Sequence, residues 1–150
     1  MIYKKLLPIL LIFCALTVNA QTTEDSVKQS INSMFSAMKN ANAAQLMSAF
    51  ADSAIIQTIV QDRQGKVSIR TDDIRQFADF VGKQPVGNAD ERITFASINI
   101  DGNLASVWTP YQFYFDGKFS HCGANSFQLA RINNEWKIQY LVDTRRKNCN

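Results

Sequence analysis

The sequence predicts an α+β fold with the element order ααββαββββ. Three observations carry that expectation. The last third reads as two β-hairpins joined end to end, because Asp116-Gly117 and Asn133-Asn134 separate three long runs rich in aromatic and apolar residues. Asp-Gly favours a type I′ turn, and Asn-Asn tolerates the positive φ such a turn needs. The first half holds apolar residues at helical spacing, and its helices and strands fall in runs rather than in strict alternation, which argues against a parallel sheet.

Taken in order, the first helix spans Glu24 to Lys39. Val27, Ile31, Met34, Phe35 and Met38 fall on one apolar stripe, and Glu24 and Asp25 sit in the first turn, where the helix dipole favours acid. Asn40-Ala41-Asn42 breaks the pattern. Asn42 caps a short second helix reaching about Phe50, with Leu46, Met47 and Phe50 on its buried side. Ala54 to Val60 is a β-branched strand, and Val67 to Arg70 is a second one beyond a turn at Gly65. Thr71 caps a third helix from Asp72 to Val81, which Gly82 ends. Gln84 to Asp90, with Pro85 and Gly87, is a connector or a lid. Four strands follow: Glu91 to Ile100, Leu104 to Phe115, Lys118 to Ile132 and Glu135 to Asp143.

Residues 1–20 have the marks of a secretory signal. Lys4 and Lys5 supply the positive start, Leu6 to Leu16 is apolar apart from Pro8, and Val18-Asn19-Ala20 suits cleavage. That run is too short to span a bilayer. An exported protein of one domain is expected, periplasmic or secreted, starting near Gln21 and with no membrane attachment after cleavage. It keeps 14 basic and 13 acidic residues, so a nucleic-acid role has little electrostatic support. Cys14 is lost with the signal. The remaining pair, Cys122 and Cys149, invites a disulfide in an oxidising compartment, provided the tail turns back after Arg146.

Two-residue turns also fix which side chains share a face. Counting back from them pairs Gln112 with His121, Trp108 with Asn125 and Phe127 with Tyr140. One face then carries Trp108, Gln112, Tyr114, Phe119, His121, Asn125, Phe127, Leu129, Trp136, Ile138, Tyr140, Val142 and Thr144. The other carries Tyr111, Phe113, Cys122, Gln139 and Asp143. The first suits a concave ligand site of bulky rings and neutral hydrogen-bonding groups. Pro110 is a place where a bulge would reverse part of this assignment.

The order of elements, together with Trp108-Thr109-Pro110-Tyr111, Gly117-Lys118-Phe119-Ser120-His121-Cys122-Gly123, Phe127-Gln128-Leu129, Trp136-Lys137-Ile138 and Asp143-Thr144-Arg145-Arg146, resembles the nuclear transport factor 2-like superfamily. More narrowly it resembles an exported bacterial branch labelled lumazine-binding, beside the polyketide cyclase and ketosteroid isomerase relatives. The likeness covers roughly residues 24–149. It implies a cone, in which a strongly curved, mostly antiparallel sheet wraps around three helices with a pocket between them. It also implies a homodimer formed through the outer sheet face. The superfamily contains both enzymes and non-catalytic binders, so the fold leaves the chemistry open.

The pocket expected from these registers is lined by Trp108, Gln112, Tyr114, His121, Asn125 and Tyr140. The last three strands bring no carboxylate to that face, which favours a binding domain for an unidentified small molecule over an enzyme. If the protein is an isomerase, cyclase or hydrolase, His121 is the candidate base, since its ordinary pKa suits proton transfer near neutrality. The same histidine serves equally as a structural group or a ligand contact. A third reading, an assembly module, rests on Tyr111 and Phe113 of the outer face. No cofactor is implied, and no phosphate loop, nucleophile elbow or metal motif is present.

Overall fold

The computed structural model describes residues 22–149. The expected signal segment and Cys14 lie outside the described residues. Helix α1 (Thr23–Lys39) is capped by Thr22, whose hydroxyl accepts the Asp25 N–H at 3.1 Å, and its five-residue apolar stripe is buried. Helix α2 (Ala43–Ser48) starts at the Asn42 cap and buries Leu46. Strands β1 (Phe50–Gln61) and β2 (Val67–Asp72) form a hairpin longer than expected. Thr71 and Asp72 stay in that ladder opposite Gln57 and Ile56, so the cap of helix α3 (Ile74–Gly82) is Asp73, which accepts the Gln76 N–H at 2.9 Å.

The expected strand Glu91–Ile100 is divided into β3 (Ala89–Ile93) and β4 (Ser97–Asp101), both lying along β5 (Leu104–Phe115). The break falls at Pro110. Its carbonyl accepts the Thr94 N–H at 3.0 Å, but its ring nitrogen has no proton to return. The connector before β3 is tied down rather than loose, since the Gly87 N–H donates to the Lys39 carbonyl and the Asp116 N–H to the Asn88 carbonyl. Strands β6 (Lys118–Ile132) and β7 (Glu135–Thr144) complete the sheet.

Sheet order is β2-β1-β7-β6-β5-β3, with β4 beside β3 on β5; β1 and β7 run parallel and the other pairs antiparallel. The fold is therefore α+β, an open sheet curved around the helices in the manner of a cone. The core lies between α1 and the sheet, where Phe35 meets Phe127 edge to face at 6.2 Å.

Both expected hairpin turns form, with positive φ at Asp116, Gly117, Asn133 and Asn134. The registers beyond them differ from expectation because each hairpin contains a bulge. Phe113 pairs with His121 but Tyr114 with Phe119, leaving Ser120 as an extra residue in β6. Leu129 pairs with Ile138 but Gln128 with Tyr140, leaving Gln139 as an extra residue in β7. An added residue reverses every side chain beyond it relative to its partner strand. On β6, His121, Asn125, Phe127 and Leu129 keep the expected inward face, whereas Phe119, on the turn side of the bulge, stands outward at 46% exposure. On β5 the faces are exchanged, so Tyr111 and Phe113 point inward while Trp108, Gln112 and Tyr114 point outward. Beyond Gln139 the same exchange turns Leu141 and Asp143 inward and Tyr140 outward.

Candidate functional site

A cavity of about 440 Å³ lies between the inner sheet face, α1, α3 and β2. Its walls are apolar, formed by Phe35 of α1, Phe77 and Val81 of α3, Phe113 of β5 and Leu141 of β7. A polar group closes one side and includes Glu91, Tyr111, His121, Asn125, Asp143 and Arg145.

Glu91 reaches the cavity by strand alternation. Ala89, Glu91 and Ile93 share the inward face of β3, whereas Asp90 and Arg92 pair with each other at 3.0 Å on the opposite side. The Asn125 amide donates to Glu91 at 2.8 Å and lies 3.3 Å from the Thr109 hydroxyl. Glu91 is half-buried and lines the cavity. Burial pushes its carboxyl up to about 7, the nearby Asp143 charge adds to this, and the Asn125 hydrogen bond and Arg145 oppose it.

Asp143 is the centre of a second network. It accepts hydrogen bonds from the Thr58 hydroxyl at 2.6 Å and the Arg145 guanidinium at 2.9 Å. The Tyr111 hydroxyl lies 3.1 Å from Asp143 and 2.9 Å from the Thr144 carbonyl, sharing one proton between them. Burial, with help from the Asp143 and Glu91 charges, raises the Tyr111 hydroxyl well above the usual tyrosine range. His121 stands between the Tyr111 and Phe113 rings, at 5.7 and 5.0 Å, with Nδ1 3.0 Å from the Ser120 hydroxyl. Burial and the Arg145 charge lower its pKa, which favours the neutral ring.

Of the six residues expected to line the pocket, His121 and Asn125 line the cavity and the other four lie elsewhere. Trp108 is 45% exposed on the outer face. Tyr114 donates to Gln112 there, and Arg92 stacks on the Tyr114 ring at 4.1 Å. Tyr140 donates to Gln57 at 2.6 Å. The expectation of a carboxylate-free pocket face is corrected: Asp143 comes from the last strand and Glu91 from β3. Glu91 had a legible signal, an acid alternating with Ala89 and Ile93. Asp143, Tyr111 and Arg145 had none, because the bulges that bring them inward leave no mark in composition.

The expected disulfide forms between Cys122 and Cys149, and the tail turns back as required after Arg146, which pairs with Cys122. Among the described residues, no three His, Cys, Asp or Glu side chains are grouped to hold a metal ion, and no helix is long and apolar enough to cross a membrane.

No family model matches this sequence, and no curated protein matches it significantly. Solved structures do. An NTF2-like protein of unknown function from Shewanella baltica OS155 is 15% identical, with a TM-score of 0.64 over 83% of this chain and 94% of that one. One from Methylobacillus flagellatus KT is 21% identical, with a TM-score of 0.62 over 82% and 91%. A protein of unknown function with a cystatin-like fold from Nostoc punctiforme PCC 73102 is 13% identical, with a TM-score of 0.65 over 83% and 93%. At such identities the likeness is one of architecture and does not reach the lumazine-binding label. The chain has the NTF2-like fold that these solved structures share.

Proposed function

We propose that this protein is an exported domain that binds a small, largely apolar molecule in the cavity between its sheet and helices. The observation that carries this reading is the cavity itself, lined by aromatic and aliphatic walls with a few convergent polar groups at one side. Ligand sites have that composition, and about 440 Å³ lies within their usual size range. Purification from the native host followed by native mass spectrometry tests it. A retained small molecule is expected. Absence of any retained mass, together with no thermal shift across a ligand library, would contradict it.

A second reading, acid–base catalysis in the same cavity, is favoured by one observation. Burial pushes the Glu91 carboxyl up to about 7, where a group both gives and takes a proton readily. Glu91 is then a better candidate base than the expected His121, whose Nδ1 is engaged by Ser120. Host metabolite extracts incubated with wild type and with Glu91→Gln distinguish the readings, since a compound consumed by the first and not by the second requires catalysis.

Assembly through Tyr111 and Phe113 loses its basis, since Tyr111 is 4% exposed and both rings line the cavity. A homodimer through the outer face rests instead on Trp108, which stands exposed opposite Ser126. Sedimentation of wild type and Trp108→Arg tests it, with a dimer expected for the first and a monomer for the second. Export is supported by the leader and by a disulfide that suits an oxidising compartment. A mature N-terminus near Gln21 is expected from the native host.

A further inference from the structure

The distribution of charge around the cavity narrows the class of ligand. Its charged lining residues are Arg70, Asp72, Asp73, Glu91, Asp143 and Arg145. Both guanidiniums are engaged. Arg70 grips Asp72 through hydrogen bonds of 2.9 and 3.1 Å, and Arg145 binds Asp143 at 2.9 Å. Asp73 caps α3. Glu91 differs from the rest: among the described residues no lysine or arginine pairs with it, and its hydrogen bond comes from the neutral Asn125 amide. No buried side-chain oxygen among the described residues lacks a partner. The second Glu91 oxygen, which receives no hydrogen bond, therefore reaches the open space of the cavity. A carboxylate with one oxygen held and one offered, facing aromatic walls, is half of a buried ion pair.

We propose that the cavity takes a protonated amine carried on an apolar, ring-containing body, with the ammonium set against Glu91 and the rings against Phe77 and Phe113. This rests on the small-molecule reading above and names the class of molecule. A desolvated ion pair of this kind forms a charge-assisted hydrogen bond, and aromatic faces tolerate a cation beside them. An anionic ligand would find no unpaired cation and would meet Glu91. Neutral His121 adds no positive charge to repel an ammonium. The other ionisable groups facing Glu91 across the cavity are the paired Asp143 and Arg145, protonated Tyr111, the Arg70–Asp72 pair and Asp73, and α1 contributes none.

Three isosteric probes test the proposal: 2-naphthylmethylamine, 2-naphthylmethanol and 2-naphthoic acid. Each is titrated calorimetrically at pH 8, where Glu91 is ionised and the amine keeps its proton, into the mature chain and into Glu91→Gln. The amine is expected to bind wild type at least about tenfold more tightly than the alcohol, and the acid more weakly than either. In Glu91→Gln, the amine is expected to fall to the level of the alcohol while the alcohol is unchanged. Equal or tighter binding of the alcohol or the acid to wild type overturns the proposal and leaves the small-molecule reading standing. That ranking needs no variant, so it decides even if Glu91→Gln fails to fold. A preference for the amine that survives in a folded Glu91→Gln also overturns it. Binding of none of the three, together with no retained ligand from the host, overturns both.

Discussion

Asn125 of β6 donates a 2.8 Å hydrogen bond to Glu91 of β3, reaching across the intervening strand β5 at Thr109. The bond fixes one carboxyl oxygen and favours the ionised form. Charge-assisted bonds of this kind contribute about 1.5–3 kcal/mol when ionised. A double-mutant cycle with Asn125→Ala and Glu91→Ala, followed by chemical denaturation at pH 8, is expected to give a coupling energy in that range. Additive effects of the two substitutions would mean that the bond is not formed in solution.

Glu91 also makes stability depend on pH. Its carboxyl is raised from 4.5 to about 7 by burial, so the folded state holds the proton more tightly than the unfolded chain. The resulting stabilisation is complete below 4.5, declines as pH rises to about 7 and is absent above that. The decline is about 2–3 kcal/mol, the lower end reflecting contact of the carboxyl with cavity water. Glu91→Gln is expected to remove it. The check is a series of urea melts between pH 4 and 8 on both proteins, with a smaller slope in the variant.

Gly123 sits opposite Tyr111, and a Cβ there would overlap the Thr144 carbonyl and lie 2.8 Å from Tyr111 Cε1. That carbonyl accepts from the Tyr111 hydroxyl and adjoins Asp143 and Arg145. Gly123→Ala is expected to destabilise by about 1–3 kcal/mol through overpacking. Calorimetry is expected to show a lowered Tm, and binding of any cavity ligand to weaken as the Asp143 network shifts. An unchanged Tm would show that the strand end gives way without cost.

The Cys122–Cys149 bridge closes a loop of 27 residues. In the chain-entropy model such a bridge stabilises by about 3–4 kcal/mol. It also holds Arg146, whose backbone pairs with Cys122 at 2.9 and 3.0 Å, immediately after the Arg145 that binds Asp143. The Cys122→Ser/Cys149→Ser double variant is expected to unfold at lower denaturant concentration and to lose the response to reductant that wild type shows. A wild type insensitive to reductant would mean that the bridge does not stabilise the fold.

Most of the architecture was legible because turns and helical stripes are local signals. Asp116-Gly117 and Asn133-Asn134 located both hairpins, and the spacing from Val27 to Met38 located the buried face of α1. Among the last three strands, the cavity was legible only along β6, where His121 and Asn125 keep the expected face. Ser120 and Gln139 are ordinary strand residues, and whether a strand absorbs one extra residue is decided by how the whole sheet curves over its helices. That choice moves Trp108, Gln112, Tyr114 and Tyr140 out and Tyr111, Phe113 and Asp143 in. The third helix shows the same competition on a smaller scale. Thr71 is a good cap by type, but pairing with β1 holds it in the strand and passes the role to Asp73.

Glu91 is a carboxyl set in an apolar cavity and, among the described residues, left without a cation of its own. Titration of its δ-carbon by NMR in the ligand-free protein tests this most directly, with Glu91→Gln assigning the resonance. A midpoint near 7 is expected. A midpoint close to the ordinary value of 4.5 would place the side chain in free contact with water and contradict the account.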